Sequence, residues 1–415
     1  MVLCDTDVVV LAGPIPHAKD MGEKIAVMSD IDALRANGIK TTLLAYDLGR
    51  SPADRLPSSR ECVVMPAKAG GRLTRFLRAI PTSLPGAAER YYSEEARAII
   101  QGSVQQIRPA MIVIQTPALA AWIPMLRELV PDAVIVARSH NVVADVVRKQ
   151  ITAASLSLKP LYTLESVRWQ SLERLFVQAS DRVWAITDAD SVLLQQIYGR
   201  PDIICLPVSV SVEKYSSIDI RKGDETTFIF IGSIDLKKAH GVHVFLREIW
   251  PILKSIKPEL RFVVAGRLSA RCSLDADGVE YIGYVDDDAA LYAEGRFALN
   301  PQILGGGIKL KSLHSMAAGR ILVATNNGVQ GMNVEHGTHY WNLEILSASN
   351  ALNSLFESTR LNLEIARAGR EWVNEHHSHS RVADIAGGLL AEALGKPSRR
   401  AALGRVEGSR PARRR

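Results

Sequence analysis

The sequence predicts an α/β protein built from two doubly wound parallel-sheet domains, and three observations carry that prediction. Short β-branched runs alternate with longer segments of helical periodicity through most of the 415 residues, as βαβ units require. The runs fall into two sets. Between the sets, residues 206–227 (LPVSVSVEKYSSIDIRKGDETT) lose helical periodicity and gain polar and charged side chains.

In the first set, DVVVLAG, KTTLLAY, MIVIQT, AVIVAR and RVWAIT read as strands. They are continuously apolar because a parallel sheet is covered on both faces. Helical patterns at 20–37 and 163–180 lie between them. TFIFIG, RFVVAG, VEYIG, FALNP and ILVAT make up the second set. The expected division is a first Rossmann-like domain over 1–205, a linker at 206–227, a second domain over 228–395 whose last helices are free to pack back on the first, and a tail at 396–415. Two such domains are expected to face a central cleft formed at the carboxyl ends of their strands.

An apolar fraction of 47% excludes a disordered chain. The net charge of +6 is local: the tail KPSRRAALGRVEGSRPARRR holds eight Lys and Arg against one Glu, which leaves the body close to neutral. That argues against specific nucleic-acid binding by the body and for a solvated, disordered extension, with contact to nucleic acid or anionic lipid as the other reading of the tail. The cysteines Cys4, Cys62, Cys205 and Cys272 have neither metal nor redox spacing, so a reducing compartment without disulfides is expected. No basic leader precedes the first strand and no run reaches the length of a membrane span, which predicts a cytoplasmic protein. RLTRFLRAI at 72–80 places Leu73, Phe76, Leu77 and Ile80 opposite Arg72, Arg75 and Arg78. This short basic amphipathic helix suits either an ordinary surface position or peripheral membrane contact.

The chemistry concentrates in PQILGGGIKLKSLHSMAAG, residues 301–319. Gly305, Gly306 and Gly307 follow a strand and precede a helix, with Lys309, Lys311 and His314 close behind. Such a turn brings backbone N–H groups and a helix N-terminus to an anion, phosphate first of all; a plain tight connection is the other reading. VDDDAAL at 285–291 reads as a helix N-cap cluster rather than a metal site. AGPIPHAKDMG after the first strand lacks the G-x-G-x-x-G of a dinucleotide-binding turn.

With these motifs in order, the second half resembles the nucleotide-sugar-binding domain of GT-B glycosyltransferases, especially the family-four-like enzymes of bacterial exopolysaccharide assembly. FIFIGSIDLKKAHGVHVFLREIWPILKSIKPELRFVVAGR is similar to that family's first strand, glycine turn, helix ending in Trp-Pro, and second strand. The stretch from GVEYIGYV to ATNNGVQGM is similar to its glycine-rich phosphate loop and the segment beyond. In the first half, DMGEKIAVMSDIDALRANGIKTTLLAY, ARSHNVVADVVRK and LERLFVQASDRVWAITDADSVLL resemble the family more loosely.

The resemblance implies a hexosyltransferase-type enzyme that moves a sugar from a nucleotide-sugar donor to a saccharide or lipid-linked acceptor in cell-surface polysaccharide synthesis. It implies retention of anomeric configuration and no metal or other cofactor. A degenerate GT-B protein that binds or scaffolds without turnover is the second reading. The implied diphosphate contacts are Gly232 and Ser233 after the first strand of the second domain, the glycine turn, and Lys238 and Lys311, with Lys309 competing for the same role. Solvated surface lysines and a plain turn are the alternatives. His140, at a strand end beside Asn141, is implied to contact the transferred sugar or to pack as a capping histidine. Gly22 and Glu23 are implied to line the acceptor side. The family's two glutamates, with seven residues between them, are absent: Gly306 and His314 stand in their places. His314 is then expected to face the ribose with one acceptor nitrogen instead of a carboxylate.

Overall fold

The computed structural model describes residues 6–15, 22–48, 62–153, 156, 158–232, 239–266, 274–303 and 305–395. The chain divides into two compact units, Met1–Val208 with Val382–Arg415, and Ser209–Arg381.

The first unit is a parallel sheet of β1 (Asp7–Pro14), β2 (Lys40–Asp47), β3 (Cys62–Pro66), β4 (Met111–Ile114), β5 (Val134–Ser139), β6 (Arg182–Ala185) and β7 (Ile203–Cys205). The strand order is β3-β2-β1-β4-β5-β6-β7. Alternate residues of one strand feed two cores. Val9 and Leu11 join Ile112, Ile114 and Phe176 on one face, while Val8 and Val10 join Val113, Val136, Val27 and Ile31 on the other. Both registers must therefore be apolar, which is why the strands read as unbroken hydrophobic runs.

The final helix, His379–Gly395, completes the second of these cores with Val382, Ala386, Leu390 and Ala393. The segment from Val382 thus belongs to the first unit, although it follows the second domain in sequence. It meets the turn after the helix Gly22–Ala36 closely: Asn37 Nδ2 donates to the Ala383 carbonyl at 2.8 Å, and a Cβ on Gly387 would lie 2.4 Å from Asn37 Oδ1.

The second unit is a parallel sheet of β8 (Asp224–Ile231), β9 (Arg261–Ala265), β10 (Val279–Gly283), β11 (Gly295–Asn300), β12 (Ile321–Ala324) and β13 (Trp341–Asn342), in the order β10-β9-β8-β11-β12-β13. One face is an aromatic core in which Phe228 stacks on Phe297 at 4.7 Å and Phe245, Trp250 and Phe262 pack edge to face or tilted.

The stretch 206–227, expected as a linker, is not a bare connection. From Ser209 it belongs to the second unit, and Tyr215 and Ile218 are buried. Its irregular backbone leaves carbonyls without ladder partners, and the buried Arg296 and Arg320 with the half-buried Arg370 supply them. Arg320 donates to the carbonyls of Asp219 and Lys222, Arg370 to that of Ile218, and Arg296 to that of Arg221. The like charges of Arg370 and Arg296 add to burial in holding the Arg320 guanidinium down to about 10. Among the described residues no helix is long and apolar enough to cross a membrane.

Candidate functional site

In the second unit the strand order reverses between β8 and β11, so the crevice beyond their carboxyl ends is the natural ligand position of such a sheet. Gly232 follows β8 and the glycine turn follows β11. Close approach fixes the first position: a Cβ on Gly232 would lie 3.3 Å from Lys311 Nζ. Lys311 Nζ itself stands 4.5 Å from the Phe230 ring centroid, so an ammonium is held at the end of β8.

Gly305 (φ 132°) and Gly307 (φ 64°) adopt the conformations that favour glycine. Lys309, expected to compete with Lys311 for an anion, does something else. It is 5% exposed, and its Nζ donates to the carbonyls of Gly306 and Gly307 at 2.9 and 2.8 Å. It braces the turn from beneath because its side chain folds back over two carbonyls that have no helical partner. Asn327 Nδ2 ties the Gly305 carbonyl at 3.0 Å. The helix Leu310–Ala317 is fastened through Ser312 Oγ, which donates to the Gly328 carbonyl at 2.6 Å and accepts from Asn300 Nδ2 at 2.8 Å. Anchoring on this scale suits a turn that must hold one shape against a charged ligand.

His314 lies one turn into that helix. Its Nδ1 is 2.7 Å from the Tyr215 hydroxyl, which donates to Asp288 Oδ2 at 3.0 Å, and Asp288 pairs with Lys214. Burial lowers the imidazole pKa, with Asp288 opposing and Lys214 adding to the effect. Tyr215 and Asp288 escape sequence reasoning because they lie far from His314 in the chain. The aspartate run is an N-cap, as expected: Asp287 Oδ1 accepts from Ala289 N at 3.0 Å.

In the first unit the order reverses between β1 and β4. Gln115 follows β4 and is fully buried; His140 follows β5. His140 Nε2 lies 2.7 Å from Gln115 Oε1, while His140 Nδ1 and Gln115 Nε2 are buried without partners among the described residues. Burial, helped by the nearby Arg138 and opposed by Asp30, brings the His140 pKa down to about 4. Arg138 is itself buried, with Nε 2.8 Å and Nη2 3.0 Å from the Asp30 carboxylate. The loop after His140 is fixed by Glu173, buried on the helix Lys159–Ala179. Its carboxylate accepts from Val143 N, Ala144 N and Tyr198 Oη at 2.7, 3.0 and 2.7 Å, capping the next helix. The glutamate of the LERLF segment is thus a brace for the His140 loop. Gln115 carries no sequence signal beyond its place at a strand end.

Gly22 opens the helix Gly22–Ala36; the side chain of Glu23 lies outside the described residues. So do Ser233 and Lys238 and the tail 396–415.

Residues 225–358 match the family model described as glycosyl transferases group 1. An uncharacterized 44.6 kDa protein in the cps region of Klebsiella pneumoniae is 23% identical over 183 residues, which is 41% of this chain and 46% of that relative. The matched part thus spans about half the relative's length. Among solved structures, Anabaena HepE in complex with UDP superposes with a TM-score of 0.64 at 14% identity, over 92% of this chain and 99% of the other. Sucrose-phosphate synthase from Thermosynechococcus elongatus gives 0.71 at 16% identity, over 94% and 99%. HepE has also been solved with UDP-glucose, with a TM-score of 0.63 at 14% identity over 93% and 99%. The fold is GT-B, and the glycine turn, Lys311 and His314 all lie inside the matched segment.

Proposed function

For a chain with a GT-B fold, whose second unit carries the glycosyl transferases group 1 sequence, we propose glycosyl transfer from a nucleotide-sugar donor to a saccharide or lipid-linked acceptor. The setting is cell-surface polysaccharide synthesis, in the cytoplasm at the inner face of the cell membrane, with retention of anomeric configuration. The observation that carries this reading is the juxtaposition of Lys311, Gly232 and a braced glycine turn where the strand order reverses.

Breaking the bond to a nucleoside diphosphate builds negative charge on the leaving group. Preorganised N–H donors and a cation are worth most against charge that grows in the transition state. The turn supplies the donors and Lys311 the cation, with Lys238 as a second. His314 accepts a ribose hydroxyl through Nε2. His140, kept neutral, takes a hydroxyl of the transferred sugar. In this reading the cations do the work that a divalent metal does elsewhere, so turnover survives chelator.

The experiment is release of nucleoside diphosphate from a panel of UDP-, GDP- and dTDP-sugars, with the anomeric configuration of any product read by NMR. HepE, with UDP and UDP-glucose bound, makes the uridine series the first to try. The replacement of two acidic positions by Gly306 and His314 favours one rival, a protein that binds donor without turning it over. Tight UDP-sugar binding with no release under any acceptor condition would establish that rival.

A further inference from the structure

The helix Arg72–Ala79 lies the opposite way round from an ordinary surface helix. Packing through its apolar side would bury Leu73, Leu77 and Ile80, yet these are 70%, 54% and 55% exposed. Arg78 turns inward instead, donating to the Ala69 carbonyl at 2.5 Å and standing 3.6 Å from the buried Glu89 carboxylate. Glu89 in turn holds Lys68 at 2.7 Å.

The neighbouring segment repeats the pattern. Leu156 is 82% exposed, and Leu161, Leu164 and Val167, at helical spacing on the first half of Lys159–Ala179, are exposed as well. The two segments lie side by side. Gly86 N donates to both oxygens of Glu165 at 3.0 and 3.3 Å, and a Cβ on Gly86 would come within 3.3 Å of Phe76 Cα. Large apolar side chains on adjoining elements mark an interaction surface rather than scattered exceptions.

Charge selects the occupant. Residues 67–80 and 156–168 contain Lys68, Arg72, Arg75, Arg78, Lys159 and Arg168; set against Glu165 and against the buried Glu89 that pairs with Lys68 and Arg78, they leave a net of four positive charges. Two copies meeting through this face would oppose like charges, whereas acidic headgroups neutralise them while acyl chains take the leucines. We propose that these two helices form a docking surface for an anionic lipid bilayer. The inference deepens the membrane-side setting proposed above, but lipid docking is measured without turnover, so either can fail alone.

The test is co-sedimentation of the full chain with vesicles of phosphatidylglycerol and phosphatidylcholine, against phosphatidylcholine alone. Expected is preferential binding to the acidic vesicles, weakened by raised salt. The triple variant Leu73→Gln, Leu77→Gln, Leu161→Gln is expected to partition at least tenfold less, with unchanged melting temperature and UDP affinity. In a second variant, Leu73→Trp, indole emission shifts to the blue on acidic vesicles. Unchanged partitioning of the triple variant overturns the proposal, since the tail is then sufficient. So does an unshifted emission, or a lipid-free oligomer that the triple substitution dissolves, which would make a second copy the occupant.

Discussion

His314 Nδ1 lies 2.7 Å from the hydroxyl of Tyr215, and that hydroxyl lies 3.0 Å from Asp288 Oδ2. A phenol has one proton, and burial together with the Asp288 charge pushes the Tyr215 pKa upward. The carboxylate beside Lys214 takes the hydrogen bond from that proton, so His314 donates to the phenol oxygen from Nδ1 and keeps its lone pair on Nε2. Tyr215 therefore fixes which nitrogen can accept. Tyr215→Phe should leave the ring in mixed tautomers by ¹⁵N NMR and weaken UDP binding about three- to tenfold, near the ~1 kcal/mol of one net hydrogen bond. A parent ring protonated on Nε2 would refute the arrangement.

The same geometry revises what a carboxylate at this position would do. From sequence, His314→Glu restores a family glutamate and should tighten nucleotide binding. In the structure it sets a second carboxylate against the Tyr215–Asp288 pair, where one phenol proton serves both. The expected outcome is a lower melting temperature, by roughly 1–3 kcal/mol of stability. His314→Glu combined with Asp288→Asn should recover it. Thermal melts of the two variants decide the matter.

Two lysines two residues apart should fail differently. Lys311→Ala is expected to lower turnover more than donor affinity, by about 2–4 kcal/mol in barrier, because its charge matters most as the leaving group ionises. Lys309→Ala removes two bonds to the turn carbonyls and should cost stability, about 1–3 kcal/mol, before any chemistry is measured. Steady-state kinetics beside thermal melts separate the two, and the same phenotype for both would remove the distinction drawn between them.

The glycines at the ends of β8 and β9 give a steric contrast. A Cβ on Gly266 would fall 2.1 Å from the Gly232 carbonyl oxygen, at a φ of 130°. Gly266→Ala should therefore unfold or severely weaken the second unit, by about 3 kcal/mol or more. A Cβ on Gly232 meets the mobile end of Lys311 at 3.3 Å, so Gly232→Ala should fold and lose activity by displacing that ammonium. Denaturant titration and donor turnover of the pair are the measurements.

Local chemistry is legible in the sequence, and distant pairing is not. Interior strands such as DVVVLAG and FALN announce themselves because both faces are buried. Ile203–Cys205 and Trp341–Asn342 do not, since they are sheet edges of three and two residues, too short to show a period; nor does the edge strand Cys62–Pro66, which buries only Met65. The glycine turn and Lys311 lie within seven residues of each other and could be read together. Tyr215 and Gln115 owe their roles to partners that only the fold brings near. The helix 72–79 is legible as amphipathic, but its inverted seating depends on Glu89 and the Ala69 carbonyl drawing Arg78 inward.

The last prediction concerns His140 and Gln115, whose pairing leaves two buried polar atoms unmatched. With the amide oxygen toward the ring, the free groups are a lone pair on Nδ1 and the amide hydrogens. With the amide turned over, they are a hydrogen on Nδ1 and the amide oxygen. Either way one donor and one acceptor remain, the complement of a sugar hydroxyl. Gln115→Met should therefore abolish the gain in affinity of a UDP-sugar over UDP, about five- to tenfold or ~1 kcal/mol, while UDP itself binds as before. The ring must also stay neutral. Its folded pKa of about 4 lies below the ordinary value near 6.5, so this contribution to stability is complete above about pH 6.5 and is lost as pH falls toward 4. The loss is of order 3 kcal/mol, with Arg138 promoting it and Asp30 resisting it. His140→Asn should flatten the fall in melting temperature across that window, and an acid limb as steep as the parent's would show that His140 is not the group that titrates there.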